Sequence, residues 1–296
     1  MAIFLAMPGN EELADQLAAL TSGEAGELEV RRFPDGESYV WVRSSVKGRR
    51  TFVVCTLARP DLQFLALLFA ASELRNLGAE RIELIAPYLA YMRQDARFHE
   101  GEALTSAIFA RLISLHFDAL ITVDPHLHRH ASLDELYSIP STVVRVGPLI
   151  GEWIAANIER PAILGPDAES EQWVEAMAQT ARAPWAVLRK ARKGDRQVEL
   201  HAPDLREFGG REIVIVDDIV SSGATMLQAI ELVRENGFGP PQCIVIHLLA
   251  DTATTAKISN ESASLFASDT TENGYQLFQV GPLIAKALAG TTADAL

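Results

Sequence analysis

The chain has 296 residues, 48% hydrophobic and 22% charged, which allows two domains with a core each and excludes a disordered chain. Its 39 acidic against 26 basic residues leave a net charge of −13, which opposes nonspecific binding to nucleic acid or to an anionic membrane surface. Two cysteines imply neither a disulfide framework nor a metal cage, the longest apolar run, Phe64 to Ala71, is far short of a bilayer span, and no basic signal segment follows Met1, so the expected compartment is the cytoplasm.

In chain order, the first informative stretch is Arg32-Phe33-Pro34-Asp35-Gly36-Glu37. It reads as a turn that offers an aromatic face for stacking on a base and two carboxylates that can accept from an exocyclic amine. Alone it is weak, because Pro-Asp-Gly is a common β-turn. Thr51 to Cys55 then reads as a strand, Leu62 to Leu77 as a largely buried helix closed by Gly78, and Arg81 to Ala86 as a strand ending at Pro87. Behind that strand, Arg93 can neutralise a phosphate while Gln94 and Asp95 can bond ribose or base edges. The plain alternative is a solvated loop.

Thr105 to His116 fits a helix and Ala119 to Val123 a strand that ends in Asp124-Pro125-His126-Leu127-His128-Arg129-His130. Asp and His at a strand end suit Mg²⁺ or its water shell. Zinc is the competing reading of the three histidines, and it ranks lower because alternating histidines after a strand make poor tetrahedral ligands without a distant partner. A short junction near Thr142 to Gly147 divides the chain into expected domains 1–145 and 146–296.

The second half repeats the alternation. Leu149 to Ile158 is a helix and Ala162 to Leu164 a strand, followed by the loop Gly165-Pro166-Asp167-Ala168-Glu169-Ser170 and a helix over Glu171 to Thr180. Trp185 to Leu188 leads into a basic loop with Arg189, Lys190, Arg192, Lys193 and Arg196, the local positive charge that an anionic substrate needs on so acidic a chain. Ile213 to Val216 is a strand that ends in Asp217-Asp218, and behind it come Ile219, Val220 and the small hydroxylic loop Ser221-Ser222-Gly223-Ala224-Thr225. Such a loop before a helix, here Met226 to Asn236, wraps a phosphate with N–H groups and hydroxyls, while the carboxylates reach a sugar diol or its Mg²⁺. Gln242 to Leu249 and Ala263 to Ala267 supply further strands. The expected fold class is α/β, two doubly wound units in tandem, with ligands outside the carboxyl ends of parallel strands. No Gly-x-x-x-x-Gly-Lys-Ser/Thr loop occurs, so a nucleotide needs a cradle of another kind.

The last loop resembles the phosphoribosyl-pyrophosphate (PRPP) signature shared by type I phosphoribosyltransferases and ribose-phosphate diphosphokinases. The ordered set Phe-x-Asp-Gly-Glu, Pro-Tyr…Arg-Gln-Asp, Asp-x-His, Pro-Asp, Lys-x-Arg and signature loop, from about Arg32 to Ile258, resembles the diphosphokinases (PRPP synthases) alone. The resemblance implies two type I phosphoribosyltransferase-like units and transfer of the diphosphoryl group of ATP to the 1-hydroxyl of ribose 5-phosphate. It further implies that Phe33, Asp35, Glu37, Arg93, Gln94 and Asp95 hold ATP, that His126 and Asp167 engage Mg²⁺, and that Lys190 and Arg192 are catalytic. Asp217, Asp218, Ser221, Ser222, Gly223, Ala224 and Thr225 then hold ribose 5-phosphate, and a homo-oligomer, dimer or larger, is expected by analogy with the family.

Three departures stand out. Ser221 replaces a family acid in the signature loop, Ala168-Glu169-Ser170 replaces glycines behind Pro-Asp, and the segment after Asp95 is poor in lysine, which predicts weak control by phosphate. A phosphoribosyltransferase that consumes PRPP, or a catalytically weak nucleotide-binding regulator, are the alternative functions.

Overall fold

The computed structural model describes residues 1–193, 197–201 and 205–293. They form two compact units, one of Met1–Val144 with Val280–Leu296 and one of Arg145–Gln279.

The first unit runs β1 (Ile3–Ala6), α1 (Glu11–Leu20), β2 (Glu24–Gly26), β3 (Leu28–Arg32), β4 (Ser38–Val42), β5 (Arg50–Val54), α2 (Pro60–Asn76), β6 (Arg81–Ala86), α3 (Thr105–His116), β7 (Ala119–Val123) and β8 (Ser141–Val144). Six strands make a parallel sheet in the order β2-β1-β5-β6-β7-β8. The central strands β1, β5, β6 and β7 are mostly apolar because both faces of such a sheet are covered. Phe4 and Phe52, neighbours in register, stack with centroids 4.7 Å apart. Strands β3 and β4 stand apart as an antiparallel hairpin. Pro60 opens α2, where its missing N–H costs no hydrogen bond.

Charges at the amino ends of these strands are paired. Glu83, 2% exposed, receives Arg50 Nε at 2.5 Å and Arg81 Nε at 2.8 Å. Asp118 accepts two bonds from Arg75, each 2.9 Å, and one from the Ile82 N–H. Burial pushes the Asp118 carboxyl up, but Arg75, the Ile82 N–H and Arg81 together bring it below the usual carboxylate range.

The second unit runs α4 (Gly147–Asn157), β9 (Pro161–Gly165), α5 (Glu171–Ala181), β10 (Trp185–Val187), β11 (Arg189–Lys193), β12 (Gln197–His201), β13 (Glu212–Val220), α6 (Ala224–Glu235), β14 (Gln242–Leu248), α7 (Thr252–Glu261), β15 (Ser264–Ser268) and β16 (Gln276–Phe278). Its parallel sheet, β10-β9-β13-β14-β15-β16, repeats the order of the first. Ile213, Ile215, Cys243, Val245 and Ala267 from the sheet pack with Met226, Ile230 and Val233 of α6. In each sheet the chain reverses its winding beside the first strand, so the switch points lie between β1 and β5 and between β9 and β13.

Three expectations are corrected. The strand read as Ile213 to Val216 continues through both aspartates to Val220, because β14 keeps offering parallel partners, Asp217 opposite Val245 and Val220 opposite Leu248. The basic loop is a hairpin: β11 pairs antiparallel with β12 from Arg189↔His201 to Lys193↔Gln197, and Arg196 lies outside the described residues. The second domain does not extend to residue 296. The last helix, α8 (Gly281–Ala293), belongs to the first unit, where it packs on α1 and β8 with Ile284 and Leu288 buried. Burying two such side chains stabilises by roughly 1.5–3 kcal/mol each, enough to draw the terminal helix back to the first unit.

Candidate active site

In the second unit, strand β13 carries its apolar residues into the sheet and delivers Asp217 and Asp218, 8% and 4% exposed, at its carboxyl end. Asp217 Oδ1 accepts the Asp218 N–H at 3.1 Å. Burial, then the charges of Asp218 and Asp167, push the Asp217 carboxyl well above the usual range. Buried like charges are costly unless a cation or donor meets them.

The chain then bends through Ser221 and Ser222 to Gly223, where φ is +70° and a Cβ would lie 2.5 Å from Thr254 Cγ2. Only glycine fits there without strain or clash. Helix α6 starts at the next residue, its first turn free of acidic residues, with the Ser222 hydroxyl accepting the Ala224 N–H at 3.4 Å. A loop of hydroxyls opening on helix N–H groups and the positive end of the dipole can receive an anion.

Beside it, at the end of β9, Gly165 leaves room for Ser170, whose Oγ would lie 2.3 Å from an added Cβ. Asp167 caps the short turn that follows by accepting the Glu169 N–H at 3.0 Å, and its carbonyl accepts from Ser170 Oγ at 2.7 Å and Ser170 N at 3.3 Å. The N–H groups of Glu169 and Ser170 are thus spent inside the loop, which presents carboxylates rather than amides. Asp167 and Asp218 lie close enough to Asp217 for their charges to act on its carboxyl, so the two loops gather negative charge at one end of the sheet. Both loops sit at the carboxyl ends of β9 and β13, the switch point where ligands bind in such sheets. Lys190 and Arg192 lie two positions apart on β11, and their side chains are outside what the structure describes.

In the first unit, Phe33 to Glu37 forms the tip of the β3–β4 hairpin. The Gly36 N–H donates to the Phe33 carbonyl at 2.9 Å, Gly36 has φ +93°, and Asp35 Oδ1 accepts the Glu37 N–H at 3.1 Å. Phe33 stays 41% exposed, edge-on to Tyr39, with the Arg31 guanidinium 4.8 Å from its ring centre. Its outer face is available for stacking.

Arg93 is exposed at the end of the segment behind β6. Gln94 Oε1 accepts from Thr105 Oγ1 at 3.0 Å. The Asp95 side chain is only 4% exposed and its carboxylate holds Arg129, so part of its bonding capacity is spent on the fold. Arg129, quoted within the Asp124 to His130 stretch but given no part there, is therefore a member of this constellation that the sequence did not single out. His126 and His128 meet edge to face at 3.9 Å, whereas His130 turns to Glu135 at 2.8 Å, so the three histidines do not converge. His126 belongs to the first unit and Asp167 to the second.

Residues 2–116 match the family described as the N-terminal domain of ribose phosphate pyrophosphokinase, and residues 132–281 match the phosphoribosyl transferase domain. A ribose-phosphate pyrophosphokinase of Methanopyrus kandleri is 32% identical over 97% of this chain and 98% of its own length. The same-named protein of Methanothermobacter thermautotrophicus is 31% identical over 93% and 96%. The crystal structure of the phosphoribosylpyrophosphate synthetase of Mycobacterium smegmatis superposes with a TM-score of 0.87 at 21% identity, covering 99% of both chains, a likeness of fold. With both units matched in order and the acid pair, hydroxyl loop and hairpin turn in place, the chain belongs to the ribose-phosphate pyrophosphokinase family.

Proposed function

We propose that the chain transfers the diphosphoryl group of ATP to the 1-hydroxyl of ribose 5-phosphate, giving PRPP and AMP. One observation carries the reading: a buried carboxylate pair leads into a hydroxylic anion loop at the switch point of a sheet, in a chain of this family.

Asp217 and Asp218 accept from the sugar's ring hydroxyls, while Ser221, Ser222, Thr225 and the N–H groups of Gly223 and Ala224 hold the 5-phosphate. Phe33 stacks on the adenine, Asp35 and Glu37 accept from its amine, and Arg93 neutralises a nucleotide phosphate, with Gln94 and Asp95 beside it. The 1-oxygen attacks the β-phosphorus in line. Its bond to that phosphorus forms as the bond to the bridging oxygen of AMP breaks, and the hydroxyl proton passes to water. Lys190 and Arg192 offset the charge spread over the phosphoryl oxygens. Asp167 and His126 are the residues assigned to Mg²⁺, which when bound shields the diphosphate and polarises the reacting phosphorus.

The active form is a homo-oligomer of two or more copies. Leu62, Leu65 and Phe69 leave an apolar stripe on α2 open in the single chain, with Trp41 also exposed, which supports that reading. No helix among the described residues is long and apolar enough to cross a membrane, and both cysteines are buried free thiols, as suits the cytoplasm.

Incubation with ATP, Mg²⁺ and ribose 5-phosphate should yield AMP and PRPP in equal amounts. Consumption of PRPP with a nucleobase would support a phosphoribosyltransferase instead, and silence in both assays a regulatory binding protein.

A further inference from the structure

Tyr91 is a backbone outlier in the segment that carries Arg93, Gln94 and Asp95. Its φ is +62°, a left-handed conformation that a residue with a side chain adopts only where its surroundings impose it. Two contacts, one through the hydroxyl and one through the ring, do so. The hydroxyl donates to Asp61 Oδ1 in the first turn of α2, and the ring lies 4.8 Å from that of Phe109 on α3, which in turn meets Phe64 of α2 at 4.7 Å. The bond to Asp61, with some burial, pushes the Tyr91 hydroxyl pKa up to about 12, so it remains a donor throughout the physiological range.

The rest of the segment is tied down residue by residue. The neighbouring Met92 is buried and receives the Tyr137 hydroxyl on its sulfur at 3.9 Å, Gln94 is held by Thr105, and Asp95 by Arg129. Tyr91 is the point at which the chain turns from the buried run Tyr88–Ala90 toward exposed Arg93. A tyrosine at a strained turn, locked to two helices and two residues before a phosphate-binding arginine, serves that arginine's placement.

We propose that Tyr91, clamped by Asp61 and Phe109, is a positioning residue that sets the direction of Arg93 toward the nucleotide phosphates. The inference rests on the reading of Arg93, Gln94 and Asp95 as nucleotide-binding residues.

Steady-state kinetics of the intact protein test it with four variants. Tyr91→Phe keeps the ring on Phe109 and removes the donor, and Asp61→Ala removes the acceptor. Each should raise KM for ATP roughly three- to tenfold, the effect of one lost hydrogen bond, with KM for ribose 5-phosphate within about twofold of the parent. Asp61→Asn, which still accepts, should restore KM for ATP, and the Tyr91→Phe/Asp61→Ala pair should be no worse than either change alone. An equal rise in both KM values, or a lower Tm with KM for ATP unmoved, would mean that Tyr91 merely supports the fold and would overturn the proposal. Arg93→Ala serves as the separate arm. If it leaves KM for ATP unchanged, the nucleotide reading of the segment fails and the proposal with it, whereas a rise there with none in Tyr91→Phe sinks the positioning role alone.

Discussion

The two sheets share one strand order and meet opposite ends at their switch points. In the first unit the chain behind β1 is tied to that behind β5 by Asn10, 5% exposed: its Oδ1 accepts the Thr56 N–H at 2.7 Å, and its Nδ2 donates to the Met7 and Pro8 carbonyls at 3.2 Å. Donors and acceptors cancel locally. In the second unit the same place holds Asp167, Asp217 and Asp218, whose charges repel, beside a loop of hydroxyls. The lesson is that topology supplies the crevice twice, and the residues at the strand ends decide whether its polar groups are satisfied within the fold or left in mutual repulsion. Polar groups satisfied within the fold gain nothing from a further partner, whereas buried like charges gain free energy from any cation or donor that meets them.

The sharpest way to break this comparison is Asp217→Asn. Activity should fall by roughly 10²–10³ in kcat/KM, through loss of charge-assisted bonds to the substrate. At the same time the metal-free protein should gain a few degrees in Tm, because a repelling charge is gone. The sign follows from linkage. A carboxylate whose folded pKa is raised favours the folded state below its unfolded value, and that advantage is lost as pH rises through the folded pKa. The Tm gain of Asp217→Asn, followed by thermal melts in EDTA, should therefore grow with pH, and added Mg²⁺ should raise the parent's Tm more than the variant's. A variant less stable than the parent at neutral pH without metal would refute the frustration.

Next in size, Asn10→Ala leaves the part-buried Thr56 N–H without its Asn10 acceptor and should cost about 1–3 kcal/mol, a fall of roughly 3–10 °C in Tm. The Mg²⁺-induced shift should survive, since the second unit is untouched. Loss of that shift would mean the two crevices are not independent in their roles.

Gly223→Ala should cost about 1–3 kcal/mol from the left-handed backbone and the Thr254 clash, with KM for ribose 5-phosphate rising and KM for ATP less affected. A variant that binds both substrates normally would remove the loop from the sugar-phosphate site.

The smallest change is Asp118→Asn, at the amino ends of the first sheet. Its partners are half exposed, so the loss should be about 1 kcal/mol, with kcat/KM unaltered. Here the sign is the reverse of Asp217. Asp118's folded pKa is lowered, so its contribution is present above the unfolded pKa and lost as pH falls, and the parent and variant melts should converge in acid.

Much of this was legible in the chain itself. The apolar runs Phe52–Val54, Leu84–Ala86, Leu120–Ile121 and Val214–Val216 announce parallel strands because both faces of such a sheet exclude water, and the carboxylates and hydroxyls at the strand ends stand out against them. The short elements before residue 28 were not legible, since three- and four-residue strands such as Ile3–Ala6 carry too little periodicity to count. The hairpin made of Arg189–Lys193 was hidden because a run of four charges in five residues suggests solvent, and the alternation in its pairing partner, Gln197–His201, spans only Val198 and Leu200.

The sequence by itself determined the alternation of strands and helices, the kinship with ribose-phosphate pyrophosphokinases and the residue types at each strand end, because these depend on local periodicity and on chemistry carried by a few consecutive side chains. Only the tertiary structure decided that Asp217 and Asp218 remain inside the ladder, that Asp95 answers to Arg129, that Tyr91 is held left-handed by two helices and that α8 returns to the first unit. Each of these depends on partners between 18 and well over 100 residues away, and the free energy of such contacts is set by burial and geometry that no local window contains.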